Sequence, residues 1–448
     1  MNIPKTELSR VVIIGGGFAG MSLAKRLLKK EFQVVLLDRH NYHTFQPLLY
    51  QVSTAGLEPD SIAYPLRKIT RDSPRGFFRL AEVKGIDPKK NNIHTNIGDF
   101  VYDYLVIATG SETNFFGNKS IEENAMGMKT VPQALNIRSL ILENLEQAVI
   151  TEDSEERKAL LNFVLAGAGP TGVELSGAIA ELRNQILPKD YPDLDSEEMQ
   201  IHLIEGLGRV LPPMSEHASE KAEKFLKELG VKIHLNTLVK SYDGKMITTN
   251  TDLSLKTATF IWSAGVTGAP VMGLNASALI ERANRYKVNN FNQVNGYENI
   301  FAIGDIALMQ GEAYPGGHPM VAQPAIQQGT HLAKNLFRIL KGEKMLPFVY
   351  KDKGTMATVG RNRAVVDLGK LRFGGFFAWY VWMFVHLWFL VGFRNRAVTF
   401  FNWVYNYINY DKGARLIIRP FKVVNEITGS DQRKSDQVKE QHSERSME

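Results

Sequence analysis

Cysteine is absent from all 448 residues. Disulfide frameworks, zinc–thiolate sites, iron–sulfur clusters and cysteine nucleophiles are thereby excluded. A large charge imbalance is absent too, because the formal net charge is only +6. With 44% hydrophobic and 22% charged residues, the composition is that of a globular protein. It is not that of a disordered, collagenous or polytopic membrane chain. No signal peptide is read at the N-terminus: the first apolar run, Val11–Ile14, leads straight into glycines and is expected to belong to the fold. At roughly 150 residues per domain, the length predicts about three domains.

The basic excess is local. Between Arg361 and Lys422 there are ten basic and two acidic residues, with four of the five tryptophans: Trp379, Trp382, Trp388 and Trp403. Cations beside clustered aromatics suggest a membrane surface, and no nucleic-acid partner or metal site is expected.

Two stretches share one grammar. Val11–Ile14 reads as a buried strand, followed by Gly15-Gly16-Gly17-Phe18-Ala19-Gly20, a helix over Met21–Lys30 and a strand over Gln33–Asp38. Phe163–Ala166 runs into Gly167-Ala168-Gly169-Pro170-Thr171-Gly172, then a helix over Val173–Leu187 and a strand over Ile201–Glu205. In each G-x-G-x-x-G the first glycine permits a tight turn, the second a close approach to a pyrophosphate, the third helix–strand contact. The helix N-terminus offers free N–H groups to the phosphates. Asp38 and Glu205 end the second strands, where an acid binds ribose hydroxyls. Glu205 would repel a 2′-phosphate and so favours NADH over NADPH, a preference that Arg209 could soften. Two such sites imply two nucleotides, and their order fits a flavin first and a nicotinamide second. Tyr104–Ala108 runs into Thr109-Gly110, and Ile300–Ile303 into Gly304-Asp305. Strands alternating with helices predict an α/β fold with parallel sheets. Glu152–Glu156 reads as a surface linker.

These elements resemble the two-dinucleotide-binding flavoprotein superfamily, with its glutathione-reductase-like fold of two Rossmann-like domains, the second nested in the first. The resemblance places Phe18, Ala19, Arg39, Thr109, Gly110, Gly304 and Asp305 beside FAD, bound non-covalently, one per chain. Ala264 and Gly265 join the second loop at NADH. Many members carry a redox cysteine pair soon after the second strand; here that stretch is Gln51-Val52-Ser53-Thr54-Ala55-Gly56. Disulfide reduction and cysteine-dependent sulfide oxidation are excluded, so electrons must leave the flavin directly.

Phe45–Gln51, Gly167–Glu174, Trp262–Val266, Phe301–Asp305 and Ala322–Gly329 together look like a type II NADH dehydrogenase, a non-pumping NADH:quinone oxidoreductase of the respiratory chain. The resemblance runs from about residue 10 to 420. Gln323 and Gln327 are four apart and share a helix face. The resemblance points that helix, starting near Ala322, at the flavin, where its N-terminus stabilises negative charge. Both glutamines would line the quinone site, although a helical glutamine is ordinarily a solvated surface residue. Glu174 either complements a helix dipole or, as the resemblance implies, handles protons near the nicotinamide. His43, His318 and Lys353 are further ionisable candidates. The expected partners are ubiquinone or menaquinone and a second copy in a homodimer.

From Phe373 to Phe393 there is no Asp, Glu, Lys or Arg, 21 residues in all. As a helix that is about 31 Å, long enough to span a bilayer. Mid-segment tryptophans and basic flanks on both sides argue against spanning. Val398–Tyr410 reads as amphipathic, with Asn402, Asn406 and Asn409 opposite Val398, Phe401, Tyr405 and Ile408. Residues 373–419 are therefore expected to form a monotopic anchor, two helices held by arginines on anionic headgroups at the cytoplasmic face of the cell membrane. A buried domain or dimer interface is the alternative. The domain assignment is 1–111 with 265–345 for FAD, 112–264 for NADH, 346–424 for the anchor and 425–448 for a disordered tail. Rival functions are an NADH:ferredoxin-type reductase and a membrane-bound redox sensor or scaffold.

Overall fold

The computed structural model describes residues 3–409 and 413–418. The chain opens with β1 (Arg10–Ile14), α1 (Phe18–Leu27), β2 (Gln33–Asp38), β3 (Gly76–Leu80) and β4 (Tyr104–Ile107). Val11, Val12 and Ile13 of β1 are fully buried, as a parallel strand covered on both faces requires. Val12 stands level with Val35 on β2 and with Leu105 on β4. α1 starts at Phe18 rather than Met21, because the glycine loop itself turns into the helix with Gly17 as its cap.

Two antiparallel strands, Ser111–Thr113 and Val266–Gly268, carry the chain out to a second unit and back. There β5 (Met126–Gly127), α2 (Val131–Ile150), β6 (Asn162–Ala166), α3 (Pro170–Glu181), β7 (Gln200–Ile204), β8 (Lys232–His234) and β9 (Thr259–Trp262) build a parallel sheet in the order β5-β9-β6-β7-β8. α2 was not anticipated, although Thr130 and Gln133 form a capping box at its start. The expected linker at Glu152–Glu156 is instead a helix over Ser154–Leu160, capped by Asp153. α3 stops at Glu181 and continues as a π-turn over Leu182–Ile186.

The chain then returns with β10 (Ile300–Ala302), completing the first sheet as β10-β4-β1-β2-β3. α4 (Ala322–Leu340) follows and lies against α1, where a Cβ on Gly329 would stand 2.4 Å from the Ala19 carbonyl oxygen.

The C-terminal part corrects the expectation of a purely helical segment. An antiparallel sheet, β11 (Thr355–Thr358), β12 (Ala364–Leu368) and β13 (Leu371–Gly375), comes first. Two helices follow, α5 (Phe376–Phe389) and α6 (Phe393–Asn409). The 21-residue uncharged run is thus divided. Phe373–Gly375 belongs to β13, and the chain turns at Gly375 (φ +101°) and Gly392 (φ +92°), conformations that side chains resist. Among the described residues no helix is long and apolar enough to cross a membrane. The tail assigned to 425–448 lies outside the described residues.

Candidate functional site

The two glycine loops are near copies. Gly15 (φ +106°) and Gly167 (φ +96°) make the turns; a Cβ on either would strike backbone, Ala108 O at 2.3 Å and Ala264 Cα at 2.4 Å. A Cβ on Gly20 or Gly172 would lie 1.9 Å from the carbonyl oxygen of the first glycine. Gly17 and Gly169 face open space, the arrangement a pyrophosphate requires.

The acids at the strand ends also match. The Asp38 carboxylate accepts from Gly16 N at 2.6 Å and His40 N at 2.7 Å. That of Glu205 accepts from Ala168 N at 2.7 Å and Leu207 N at 2.9 Å. Each acid ties its loop to the strand beside it and stands fixed at the rim of its crevice. Burial pushes the Asp38 pKa up, against the pull of the Gly16 and His40 amides. Arg39 is exposed. Replacing Glu205 by Gln is expected to raise kcat/KM for NADPH relative to that for NADH about tenfold or more, since a unit charge facing a 2′-phosphate is worth ~1–4 kcal/mol.

At the carboxyl ends of β1, β4 and β10 three segments converge, the location where open α/β sheets bind ligands. A Cβ on Gly304 would stand 3.2 Å from that of Ala19, and the Gly304 N–H donates to Gln328 Oε1 at 2.7 Å. Ser111 Oγ donates to Asp305 at 2.6 Å. Thr109 Oγ1 is buried without a hydrogen-bond partner, and Gly110 faces open space. An orphaned hydroxyl beside an open loop fits a bound dinucleotide.

Gln328, buried and bonded to Gly304, was not picked out from sequence; the adjacent Gln327 was. Gln327 is committed to the backbone of Lys351, donating from Nε2 at 2.9 Å and accepting at Oε1 at 3.1 Å. Gln323 lies in the first turn of α4, half-buried, its amide without a protein partner among the described residues.

His43 is buried and its Nδ1 lies 3.0 Å from Gly16 O, so it packs behind the first loop; burial pulls its pKa down to about 4. His318 sits among Tyr314, Phe348 and Tyr350, and Lys353 is exposed.

Glu174 is 7% exposed and accepts from Thr358 N on β11 at 3.3 Å. The indole N–H of Trp382 lies near it, though outside hydrogen-bond geometry. Burial pushes the Glu174 pKa up to about 8, the Thr358 and Trp382 donors opposing. That shift favours the protonated carboxyl, which complements a helix dipole less than a carboxylate does. Tyr50, in the field of Glu174, receives a hydrogen bond from Gln51 Nε2 at 2.8 Å; Gln51 Oε1 in turn accepts from Trp403 Nε1 at 2.8 Å. A cavity of about 540 Å³ adjoins this cluster, lined by Tyr50, Glu181, Thr358, Trp382 and Trp403.

A second cavity, about 370 Å³, lies between α1, α4 and the turn joining α5 to α6. Phe18, Ile326, Phe389 and Leu390 form its apolar wall, and Lys25 and Arg396 stand at it.

α5 buries Ala378 and Trp382 and exposes Phe377, Phe384 and Trp388. α6 is inverted relative to a surface helix of a soluble protein. Its polar stripe faces inward: Asn395 donates to Ala63 O at 2.9 Å, Thr399 is fully buried, and Asn406 donates to Gly56 O at 3.1 Å. Its apolar stripe faces outward, with Phe401 67% and Ile408 70% exposed. Most of the arginines expected at headgroups are engaged within the protein. Arg361 bonds Tyr407 O and covers its ring, Arg363 pairs with Glu228, Arg394 with Asp60 and Arg415 with Asp190. Lys370 and Arg372 remain exposed; Lys412 and Arg419 lie outside the described residues.

Comparison with known proteins covers both parts of the chain. A family model described as pyridine nucleotide-disulphide oxidoreductase matches residues 9–329, and one for an NDH2 C-terminal domain matches residues 353–409. A Mycobacterium tuberculosis protein named type II NADH:quinone oxidoreductase NdhA is 36% identical over 424 residues, spanning 91% of this chain and 89% of the relative. The external NADH-ubiquinone oxidoreductase 2 of Saccharomyces cerevisiae mitochondria is 30% identical, spanning 90% and 81%. A solved structure of NDH2 from Plasmodium falciparum in complex with NADH superposes with a TM-score of 0.84 at 22% identity, spanning 92% of this chain and all of that one.

Proposed function

The chain belongs to the pyridine nucleotide-disulphide oxidoreductase family, among its type II NADH:quinone oxidoreductases, and from that premise we propose that it passes electrons from NADH through FAD to a membrane quinone without pumping protons. The observation that carries this reading is the pair of matched nucleotide crevices in a chain without cysteine, joined to a C-terminal unit whose apolar stripes face outward.

FAD would be held by the first loop (Gly15, Gly17, Phe18, Ala19, Gly20), Asp38, Thr109, Gly110, Gly304, Asp305 and the start of α4 at Ala322 and Gln323. When bound, it supplies acceptance of a hydride from NADH and return of the electrons to quinone. Gly167, Gly169, Pro170, Thr171, Gly172, Glu205, Ala264 and Gly265 hold NADH, and the fixed Glu205 carboxylate selects it. Gln323, with its amide uncommitted, orients a quinone carbonyl; Gln327 supports it by fixing the 351 segment. Glu174, protonated at neutral pH, is placed to supply a proton. The cavity at Phe18, Ile326 and Leu390 opens beside the outward apolar face and gives a ubiquinone or menaquinone ring a route toward Gln323. That face rests on the cytoplasmic leaflet, and the enzyme works as a homodimer.

Stopped-flow absorbance at the oxidised flavin band tests the reading. NADH is expected to bleach the band and a short-chain quinone to restore it, both rapidly. Bleaching without recovery would remove the quinone step and favour a protein acceptor or a sensing role; purified protein without flavin would remove the first assignment.

A further inference from the structure

Lys129 lies between β5 and α2, at the junction of the two nucleotide units. Sequence reasoning did not single it out. Its Nζ donates to Ser111 Oγ at 2.9 Å, and Ser111 Oγ donates to Asp305 at 2.6 Å. The chain Lys129–Ser111–Asp305 therefore reaches from the second unit into the floor of the first crevice. Ser111 begins the strand that leaves the flavin-side unit, and Asp305 follows Gly304, where an added Cβ would stand 3.2 Å from that of Ala19 in the first loop. Burial pulls the Lys129 pKa down and Asp305 partly restores it. An ammonium has three donors, and only the one to Ser111 is a hydrogen bond found among the described residues. Desolvating a cation is costly unless something negative lies nearby, and Asp305 is reached only through a hydroxyl.

We propose that Lys129 is an electrostatic residue of the flavin crevice, its tethered ammonium stabilising the negative charge that the flavin gains on reduction. The inference rests on the FAD assignment above. A hydride carries two electrons and one proton, so NADH leaves as NAD⁺ and the flavin side of the site gains one negative charge. A fixed cation in a water-poor crevice favours the reduced state over the oxidised one, so Lys129 raises the two-electron potential and draws electrons off NADH. The sequence separation explains its invisibility: Lys129 and Asp305 are 176 positions apart and meet only through the fold.

The test is the midpoint potential of flavin-loaded protein, titrated against a reference dye, for wild type, Lys129→Met, Lys129→Gln and Lys129→Arg. Both neutral variants are expected to disfavour the reduced flavin at least tenfold, which is about 30 mV more negative for a two-electron couple. Lys129→Arg, which keeps the charge, is expected to stay within about threefold of wild type, or about 15 mV. A merely structural lysine would leave the potential of a flavin-loaded variant unmoved. Flavin retained by Lys129→Arg yet lost from both neutral variants also supports a charge acting on the flavin. An unchanged potential in either flavin-loaded neutral variant, or flavin lost from all three variants, overturns the proposal. Wild-type protein without flavin would instead overturn the FAD assignment.

Discussion

Phe401→Glu combined with Ile408→Glu is expected to release the protein from anionic phospholipid vesicles, lowering its partition coefficient about a thousandfold. The two side chains are 67% and 70% exposed on the outward stripe of α6 and support no part of the core. Burying a Phe or Ile side chain is worth ~1.5–3 kcal/mol, so the pair contributes ~4 kcal/mol, three powers of ten at ~1.4 kcal/mol each. Vesicle sedimentation measures the effect. Glutamates at Val101 and Met272, exposed apolar residues outside the C-terminal unit (56% and 77%), form the control and are expected to leave binding unchanged. Turnover with a water-soluble short-chain quinone should survive in both pairs. A double variant that still pellets with vesicles like wild type would sink the anchor, and the face would then be an interface between proteins.

The orientation of α6 gives this prediction its force. An amphipathic helix on a soluble body normally buries its apolar stripe. Here Asn395, Trp403 and Asn406 spend their donors on Ala63, Gln51 and Gly56, which fixes the polar stripe inward. The apolar side is left outward, as is that of α5, and so many exposed large apolar side chains are what water-facing proteins avoid. With Arg361, Arg363, Arg394 and Arg415 each paired to a group of the protein, the last three with carboxylates, the anchor proposed above is expected to draw most of its binding energy from apolar insertion rather than headgroup pairing. Added salt is therefore expected to weaken vesicle binding less than the two glutamates do.

What the sequence shows is set by the range of the interactions. The glycine loops and their acids were legible because each motif is closed within about forty residues, and the pattern of bare positions reflects local backbone contact. Helix starts were displaced by up to three residues where a loop without a side-chain cap runs straight into the helix, as at Phe18 and Pro170. The β11–β13 sheet was invisible because glycines, threonines and a hydrophobic run merge at Phe373, so the period of two disappears into an apparent helix. Choosing between Gln327 and Gln328 required the rotation of α4 about its axis, which is fixed by the close approach of Gly329 to Ala19. The link from Lys129 through Ser111 to Asp305 and the inward face of α6 depend on contacts across more than a hundred positions. Local pattern carries no information about them.

Glu174 marks the sharpest conflict between burial and charge, and its pH dependence follows from that. Below its ordinary value of 4.5 the carboxyl holds its proton whether the chain is folded or not. Between 4.5 and about 8 the folded state alone retains it, so stability is lost as pH rises through that window and the loss is complete above it. Glu174→Gln keeps an acceptor for the Thr358 N–H and cannot ionise. Relative to that variant, wild type is expected to lose ~3 kcal/mol between pH 6 and pH 8.5, at ~1.4 kcal/mol per pH unit until the folded pKa is reached. Denaturant unfolding at the two pH values measures it, and parallel curves for the two proteins would show that Glu174 is ionised in the fold already. The same property bears on catalysis. A carboxyl that keeps its proton at pH 7, beside Tyr50 and a cavity reaching α5 and α6, can release it to a group gaining electrons and recover it from solvent. Quinone reduction by wild type is then expected to fall as pH rises past about 8, while Glu174→Gln turns over slowly and without that inflection. If the variant instead matches wild type in rate and pH profile, the carboxyl serves only to join α3 to the C-terminal sheet.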